Sequence, residues 1–150
     1  MIQIMIMFFV VFSKARDGVP VAMLTFGINS GAYVAEIIRG GIMAVDPGQM
    51  EAGRSLGFGI AKTMWYIVSP QALKSVLPAL ANEFIALLKE TSVACYVAVN
   101  DLTKGGEIIR SATYIQALPL VAVAVLYLAM VMFLSYLVGK LERRLRTSER

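Results

Sequence analysis

The feature that most constrains the fold is an uncharged stretch from Ser111 to Gly139. It exceeds the ~20 residues that a helix needs to cross ~30 Å of hydrocarbon. The whole chain is 58% apolar and 16% charged, with a mean hydropathy of +0.71. Such a chain has too little polar surface to solvate an ordinary soluble domain. The sequence therefore predicts an integral membrane protein with a secure span near its C-terminus.

Further apolar segments add to this prediction. Gly18 to Ala35 is uncharged, and its helix is expected to continue toward Arg39. Another span is expected from about Ala72 to Leu88, whereas Met1 to Ser13 is too short to cross by itself. The N-terminus lacks the basic leader and cleavage pattern of a signal peptide. We expect it to be the tail of a span, in a fragment or a native short form.

The residue inventory disfavours a membrane enzyme. Cys95 is the only cysteine and histidine is absent, so an internal disulfide is impossible, and cysteine metal sites and His-based nucleophilic catalysis are not expected. The chain has no Gly-x-x-x-x-Gly-Lys-Ser/Thr phosphate loop, which is the usual sequence for ATP hydrolysis. The remaining carboxylates are scattered, without a metal cluster. We expect no catalytic residues, no metal site and no cofactor bound by this chain.

The distribution of charge predicts an orientation. The net charge is +4, but basic residues cluster directly after the last span, which is typical of a cytoplasmic end rather than of nucleic-acid binding. The C-terminus is therefore expected inside the cell. Counting back places the loop around Glu51 inside and the loop from Leu88 to Ser111 outside. The cluster consists of Lys140, Arg143, Arg144, Arg146 and Arg150.

A polar element on the cytoplasmic side begins with a helix-start signal. Asp46 is an N-cap acceptor, Pro47 suits the first helical position, and Gln49 is spaced to reach back to the cap. Gly57 and Gly59 then predict a change of direction between two short helices. At four-residue spacing one face would carry Ala52, Leu56, Ile60 and Met64.

Pattern alone leaves the role of this element open. Trp65 and Tyr66 could anchor an interfacial helix at the headgroups, and Pro70 favours a kink or a helix start nearby. The alternative is a surface that contacts a partner on one side of the membrane. Periodicity does not choose between the two.

The motif around this element resembles the EAA loop of ABC importer permeases. That loop reads Glu-Ala-Ala, three residues, Gly, nine residues, Ile, one residue, Leu-Pro. This chain has Glu51-Ala52-Gly53, Gly57, Ile67 and Ser69-Pro70 at the same spacing. Gly53 replaces the second Ala and Ser69 replaces the Leu, both small departures.

Three flanking segments are similar to the polar amino acid permease branch of that family. They are Asn29 to Ile42, Asn82 to Phe84, and Leu88 to Ser92, in the order of the family. The resemblance extends from about Gln3 to Arg144 and implies the all-α type I importer transmembrane domain. About three full transmembrane helices, a partial N-terminal one and a cytoplasmic coupling helix are expected. The family's first span and most of its second are not in this sequence, so we expect an N-terminally truncated domain.

The resemblance implies residue roles at the coupling region, residues 46–70. In the family this loop docks in a groove on a cytoplasmic ATPase. Small residues allow close backbone approach, and a surface glutamate gives a directional charged contact. The residues expected to couple to the ATPase are Glu51, Ala52, Gly53, Arg54 and Gly57.

A second set of residues is expected at the substrate pathway. Charged groups within spans are costly unless they face protein or water. Glu90-Thr91-Ser92 resembles the family's segment beside the translocation cavity, and Lys89 precedes it. Asn29 is a further candidate, although it lies among small residues suited to helix packing. For Glu36 and Glu83 a structural role is favoured, such as an ion pair of Glu36 with Arg39.

The leading hypothesis is the permease subunit of an ATP-driven bacterial importer for polar amino acids, in the cell (inner) membrane. Its expected partners are ATPase subunits that hold ATP and Mg, a second permease chain in a homodimer or with a paralogue, and an extracytoplasmic amino-acid-binding protein. Residues 1–144 would form the transmembrane domain and residues 145–150 a basic cytoplasmic tail. The alternative is a truncated, non-transporting remnant that still docks an ATPase. Which amino acid is carried stays open.

Overall fold

The computed structural model describes residues 2–14, 17–97 and 99–147, with side chains described as far as residue 145. These residues form helices joined by short turns, and the described ranges contain no β-strand. The α-helices are α1 (Ile2–Ile6), α2 (Gly18–Met43), α3 (Pro47–Ser55), α4 (Ile60–Thr63), α5 (Ser69–Glu90), α6 (Leu102–Thr113) and α7 (Ala117–Thr147). Two π-helical segments, Met7–Val11 and Met64–Val68, continue α1 and α4, and a 3₁₀ helix, Thr91–Val97, continues α5.

Two described helices are long and apolar enough to cross a membrane. They are Gly18–Met43, with a mean hydropathy of 1.4, and Ala117–Leu145, with a mean hydropathy of 2.6. The span predicted from Gly18 toward Arg39 therefore forms, and its helix continues to Met43. Helix α5 covers the span predicted from Ala72 to Leu88, but α5 is not among the described helices that are apolar enough to cross a membrane by this measure.

The predicted start of the last span is wrong. The uncharged stretch begins at Ser111, but α7 begins at Ala117, because α6 continues to Thr113 and the chain then turns at Tyr114. Tyr114 has a φ of 59°, in the left-handed region, where a right-handed helix cannot continue. Ser111 to Gln116 therefore belong to a separate helix and a turn.

The chain divides into two compact units. The first contains Met1–Gly31 and Phe84–Tyr136. Its apolar core joins α1, α2 and the 3₁₀ helix through Ile4, Ala22, Ala94 and Val97. Gly18 lies directly against the carbonyl of Val97, so a side chain at position 18 would not fit there. Burial of these side chains fixes the short N-terminal helix to the segment that follows α5.

The second unit contains Ala32–Glu83 and Leu137–Arg150. Its buried side chains include Thr63, Val68, Ala72 and Val76. These positions follow one another at spacings of four and five residues from the end of α4 into α5, so they form a continuous inward stripe. α3 packs against the part of this stripe in α4 and the following π-helix, whereas Ala72 and Val76 lie beside Gly41 of α2.

Candidate functional site

The helix-start signal at Asp46 is confirmed in the second unit. Oδ1 of Asp46 accepts a hydrogen bond of 2.9 Å from the Gly48 N–H, and Pro47 is the first residue of α3. The expected reach of Gln49 back to the cap is wrong. Its Oε1 instead accepts a hydrogen bond of 3.2 Å from Nε2 of Gln71, which ties the start of α3 to α5.

The predicted change of direction is also confirmed. α3 ends at Ser55, Gly57 has a φ of +83°, and Gly59 is the N-cap of α4. The left-handed conformation at Gly57 strains any residue with a Cβ, which is the physical reason for glycine there. We call residues 46–68 the coupling corner. The single helical face predicted for Ala52, Leu56, Ile60 and Met64 is wrong, because no continuous helix joins these residues.

Gly53 permits close packing between α3 and the helices that follow it in the coupling corner. A Cβ built at Gly53 would lie 2.5 Å from Cγ2 of Thr63 and 2.9 Å from Cδ1 of Ile67. Thr63 is fully buried, and its hydroxyl donates a hydrogen bond of 3.1 Å to the Gly59 carbonyl. The backbone of α3 therefore approaches the side chains of α4 and the following π-helix as closely as a hydrogen atom at position 53 permits.

Burial separates the predicted coupling residues into two groups. Glu51, Ala52, Arg54 and Gly57 are exposed, whereas Gly53 is buried. The exposed group forms a surface, and Gly53 positions it. Sequence reasoning missed the apolar part of this surface, in which Leu56 is 76% exposed beside exposed Phe58 and Ile60. A sequence signal for this exposed apolar surface was available, because these residues lie next to Gly57 and Gly59 in the predicted turn.

The predicted pathway residues lie in the first unit, at a change of helix type. α5 ends at Glu90 and a 3₁₀ helix follows from Thr91. The Thr91 hydroxyl donates a hydrogen bond of 2.8 Å to the Leu88 carbonyl, and the Ser92 hydroxyl donates one of 2.7 Å to the Lys89 carbonyl. These bonds use both hydroxyl protons, so both oxygens still have acceptor capacity.

The other polar candidates have fewer contacts. Asn29 is half-buried on α2, while Lys89 and Glu90 are exposed. The ion pair suggested for Glu36 and Arg39 is wrong, since among the described residues neither side chain has an ion-pair partner. Within the same described residues, no group of His, Cys, Asp and Glu is placed to hold a metal ion.

A polar cleft lies in the second unit beside the start of the coupling corner. It has a volume of about 450 Å³ and is lined in part by Asp46, Gln71, Lys74 and Glu142. Lys74 is half-buried. The cleft thus places a cation and two carboxylates around the N-terminus of α3.

Comparison with known proteins decides the family. The protein-family model described as binding-protein-dependent transport system inner membrane component matches residues 1–147 of this chain. The chain belongs to this family. It is therefore a membrane transport subunit and not an enzyme, as the sequence predicted.

Individual relatives agree with this assignment. The chain is 38% identical over 150 residues to the glutamine transport system permease protein GlnP of Escherichia coli (strain K12), covering 97% of this chain and 68% of GlnP. It is 36% identical over 128 residues to the arginine transport system permease protein ArtQ of Bacillus subtilis (strain 168), covering 85% of this chain and 58% of ArtQ. These relatives are transport permeases, so they do not favour the alternative of a non-transporting remnant.

A solved structure confirms the predicted fold class. The crystal structure of an amino acid ABC transporter with histidines matches 95% of this chain and 68% of the compared chain. The TM-score is 0.90 and the sequence identity is 43%. The all-α permease fold predicted from the EAA motif and its flanking segments is confirmed.

Proposed function

We propose that the chain is the permease subunit of an ATP-driven importer for a polar amino acid. The relatives are named for glutamine, arginine and L-cystine, and the matching crystal structure is named for histidines. These substrates share an α-ammonium and an α-carboxylate group but differ in side chain. The shared chemistry supports the substrate class, and their diversity leaves the particular amino acid open.

The observation that carries the proposal is the surface of the coupling corner. Its charged side chains, Glu51 and Arg54, stand beside exposed Leu56, while buried Gly53 fixes the α3 backbone behind them. A partner groove could bury the apolar residue and pair with both charges, the combination that gives directional docking. We infer that Glu51, Ala52, Arg54 and Gly57 contact the ATPase and that Gly53 positions them. ATP and Mg would be held by that partner.

Substrate contact is assigned to the end of α5. The hydroxyl oxygens of Thr91 and Ser92 can accept a hydrogen bond from an ammonium group, and the exposed carboxylate of Glu90 can pair with it. Lys89 offers a cation for a carboxylate. Asn29, half-buried on α2, is a further candidate for lining the pathway.

The proposed assembly follows the family. An extracytoplasmic binding protein delivers the amino acid, a second permease chain completes the pathway as an identical copy or a paralogue, and two ATPase subunits dock inside. Residues 1–144 form the transmembrane domain in the bacterial inner membrane. The C-terminus lies in the cytoplasm, as the basic residues at the end of α7 favour. The tail at 145–150 lies mostly outside the described residues.

The test combines docking with transport. Glu51→Ala should weaken recovery of the ATPase by about ten- to a hundredfold, because a hydrogen bond to a charged group is worth about 1.5–3 kcal/mol. Glu36→Ala removes an exposed glutamate of α2, outside the coupling corner and its neighbouring cleft, and should leave recovery unchanged. Vesicles containing the unaltered chain should take up an amino acid with ATP. Equal recovery with both variants would contradict the docking role, and docking without uptake would support the remnant.

A further inference from the structure

The outward face of helix α6 carries large apolar side chains that are more exposed than the charged side chains of the same helix. Ile108 and Ile109 are 58% and 56% exposed. The side chains of Lys104 and Glu107 are only 36% and 31% exposed. A helix on the surface of a water-soluble protein has the opposite arrangement. The surroundings of the outward face of α6 are therefore expected to be apolar.

The charged face of α6 is engaged within the first unit. The carboxylate of Asp101 caps the helix by accepting a hydrogen bond of 2.7 Å from the backbone N–H of Lys104. Nζ of Lys104 lies 3.3 Å from Oε2 of Glu107. The same helix packs against the 3₁₀ helix Thr91–Val97. Pairing and capping lower the cost of placing these charges away from bulk water.

The position of α6 along α7 gives its depth. A Cβ at Gly106 would lie 2.6 Å from Cγ2 of Val123 and 3.7 Å from the Pro119 carbonyl. These residues belong to the first two turns of α7, which is the most apolar candidate span and is almost unburied within the chain. α6 thus folds back beside the beginning of a membrane span instead of extending away from it.

We propose that α6 lies along the surface of the bilayer leaflet where α7 begins, with Ile108, Ile109 and Tyr114 in contact with lipid acyl chains and Ser111 on the side that faces water. The sequence alone placed Leu88 to Ser111 in an outer loop. Acyl chains fit the face better than a second protein copy, because membrane helix interfaces favour small residues, whereas this face carries large ones. The face is also continuous with α7, which is long and apolar enough to cross a membrane. The inference rests on the proposed membrane topology but not on ATPase docking or on the identity of the substrate.

Fluorescence quenching tests the lipid contact. Trp65 is the only tryptophan of this chain, so the Trp65→Phe assembly provides the background signal that is subtracted from those of Ile109→Trp and of the control Ser111→Trp. Positions 109 and 111 are both exposed but lie on opposite sides of α6. In the assembled transporter in liposomes, phospholipids brominated on the acyl chains should quench the tryptophan at 109 several-fold more strongly than that at 111. Aqueous acrylamide should give the reverse order.

Two results would overturn the inference. Strong acrylamide quenching at position 109 would place the face in water, and protection from both quenchers would mean that protein covers it. Since tryptophan is bulky, Ile109→Cys and Ser111→Cys in a Cys95→Ala background provide a second measurement. A membrane-impermeant maleimide should label position 111 and leave position 109 unlabelled. Equal labelling would also contradict the inference, and neither measurement depends on whether Glu51 docks an ATPase.

Discussion

Two helical corners in this chain share one construction but expose different kinds of side chain. The coupling corner has an aspartate cap at Asp46, and the α6–α7 corner, residues 101–123, has one at Asp101. Each corner packs a buried glycine against a β-branched side chain, Gly53 on Thr63 and Gly106 on Val123. Each turns through a residue with positive φ. The architecture of a corner therefore does not determine the polarity of its outward face.

The outward faces distinguish the two corners. The coupling corner exposes charged side chains, including Glu51 and Arg54, around an apolar tip at Leu56. The α6–α7 corner exposes Ile109 and Tyr114 and keeps its ion pair half-buried. A mixed surface suits a protein partner in water, whereas a face of large apolar side chains suits lipid. The following substitutions test the buried glycines that the two corners share and then the turns in which they differ.

The largest effect is expected at Gly53. Gly53→Ala places a methyl group 2.5 Å from Cγ2 of Thr63, and overpacking of this kind costs about 1–3 kcal/mol. The variant should unfold at a lower temperature in detergent and lose ATPase recovery. Adding Thr63→Ser removes the opposing methyl group but keeps the hydroxyl that bonds to Gly59, so it should restore much of both. Failure of this rescue would show that contact with Thr63 is not the cause.

A related effect is expected at Gly106. Gly106→Ala meets Cγ2 of Val123 at 2.6 Å, while the next atom, the Pro119 carbonyl oxygen, is at 3.7 Å. With one close contact, the cost should fall near the lower end of the ~1–3 kcal/mol range. Thermal unfolding should show this loss, and Val123→Ala should recover it. ATPase recovery should stay unchanged, in contrast to Gly53→Ala; a loss there would contradict the separation of the two corners.

Gly57 tests the turn of the coupling corner. Gly57→Ala forces a Cβ into the left-handed region at a φ of +83°, with an expected loss of about 1–2 kcal/mol in the free energy of unfolding. Gly59→Ala is the matched control, because Gly59 has a φ of −69° and a Cβ there meets no atom within 4 Å. Equal unfolding midpoints for the two variants would show that the φ value at Gly57 carries no strain.

The smallest effect, of opposite sign, is expected at Tyr114. Tyr114→Gly relieves a φ of 59° at the C-terminal cap of α6, a position where glycine is favoured. The free energy of unfolding should rise by less than about 1 kcal/mol, because glycine also gains freedom in the unfolded chain. A fall in stability would mean that packing by the tyrosine ring outweighs the backbone strain.

Local signals made the coupling corner largely predictable. Asp46 and Pro47 indicate a helix start, and Gly57 indicates a turn, because each residue acts through its own backbone or its nearest neighbours. The burial of Gly53 was not predictable in this way. It depends on Thr63 and Ile67 returning to meet α3, and no local pattern specifies that contact.

The α6–α7 corner was harder to predict for a physical reason. An uncharged sequence such as Ser111 to Gly139 indicates compatibility with lipid but contains no strong marker for a helix break at Tyr114. The direction of the faces of α6 was also hidden, because amphipathic spacing separates two faces without saying which one is inward. The greater exposure of Ile108 and Ile109 than of Lys104 and Glu107 supplies that direction. The predicted pathway residues from Lys89 to Ser92 remain predictions.

Site-specific photocrosslinking tests the central contrast most directly. A benzophenone amino acid placed at Leu56 or at Ile109 of the assembled transporter samples the surroundings of each corner. We predict that the probe at Leu56 crosslinks to the ATPase and that the probe at Ile109 crosslinks to lipid without joining another protein chain. A crosslink to protein from Ile109, together with none to the ATPase from Leu56, would contradict the account.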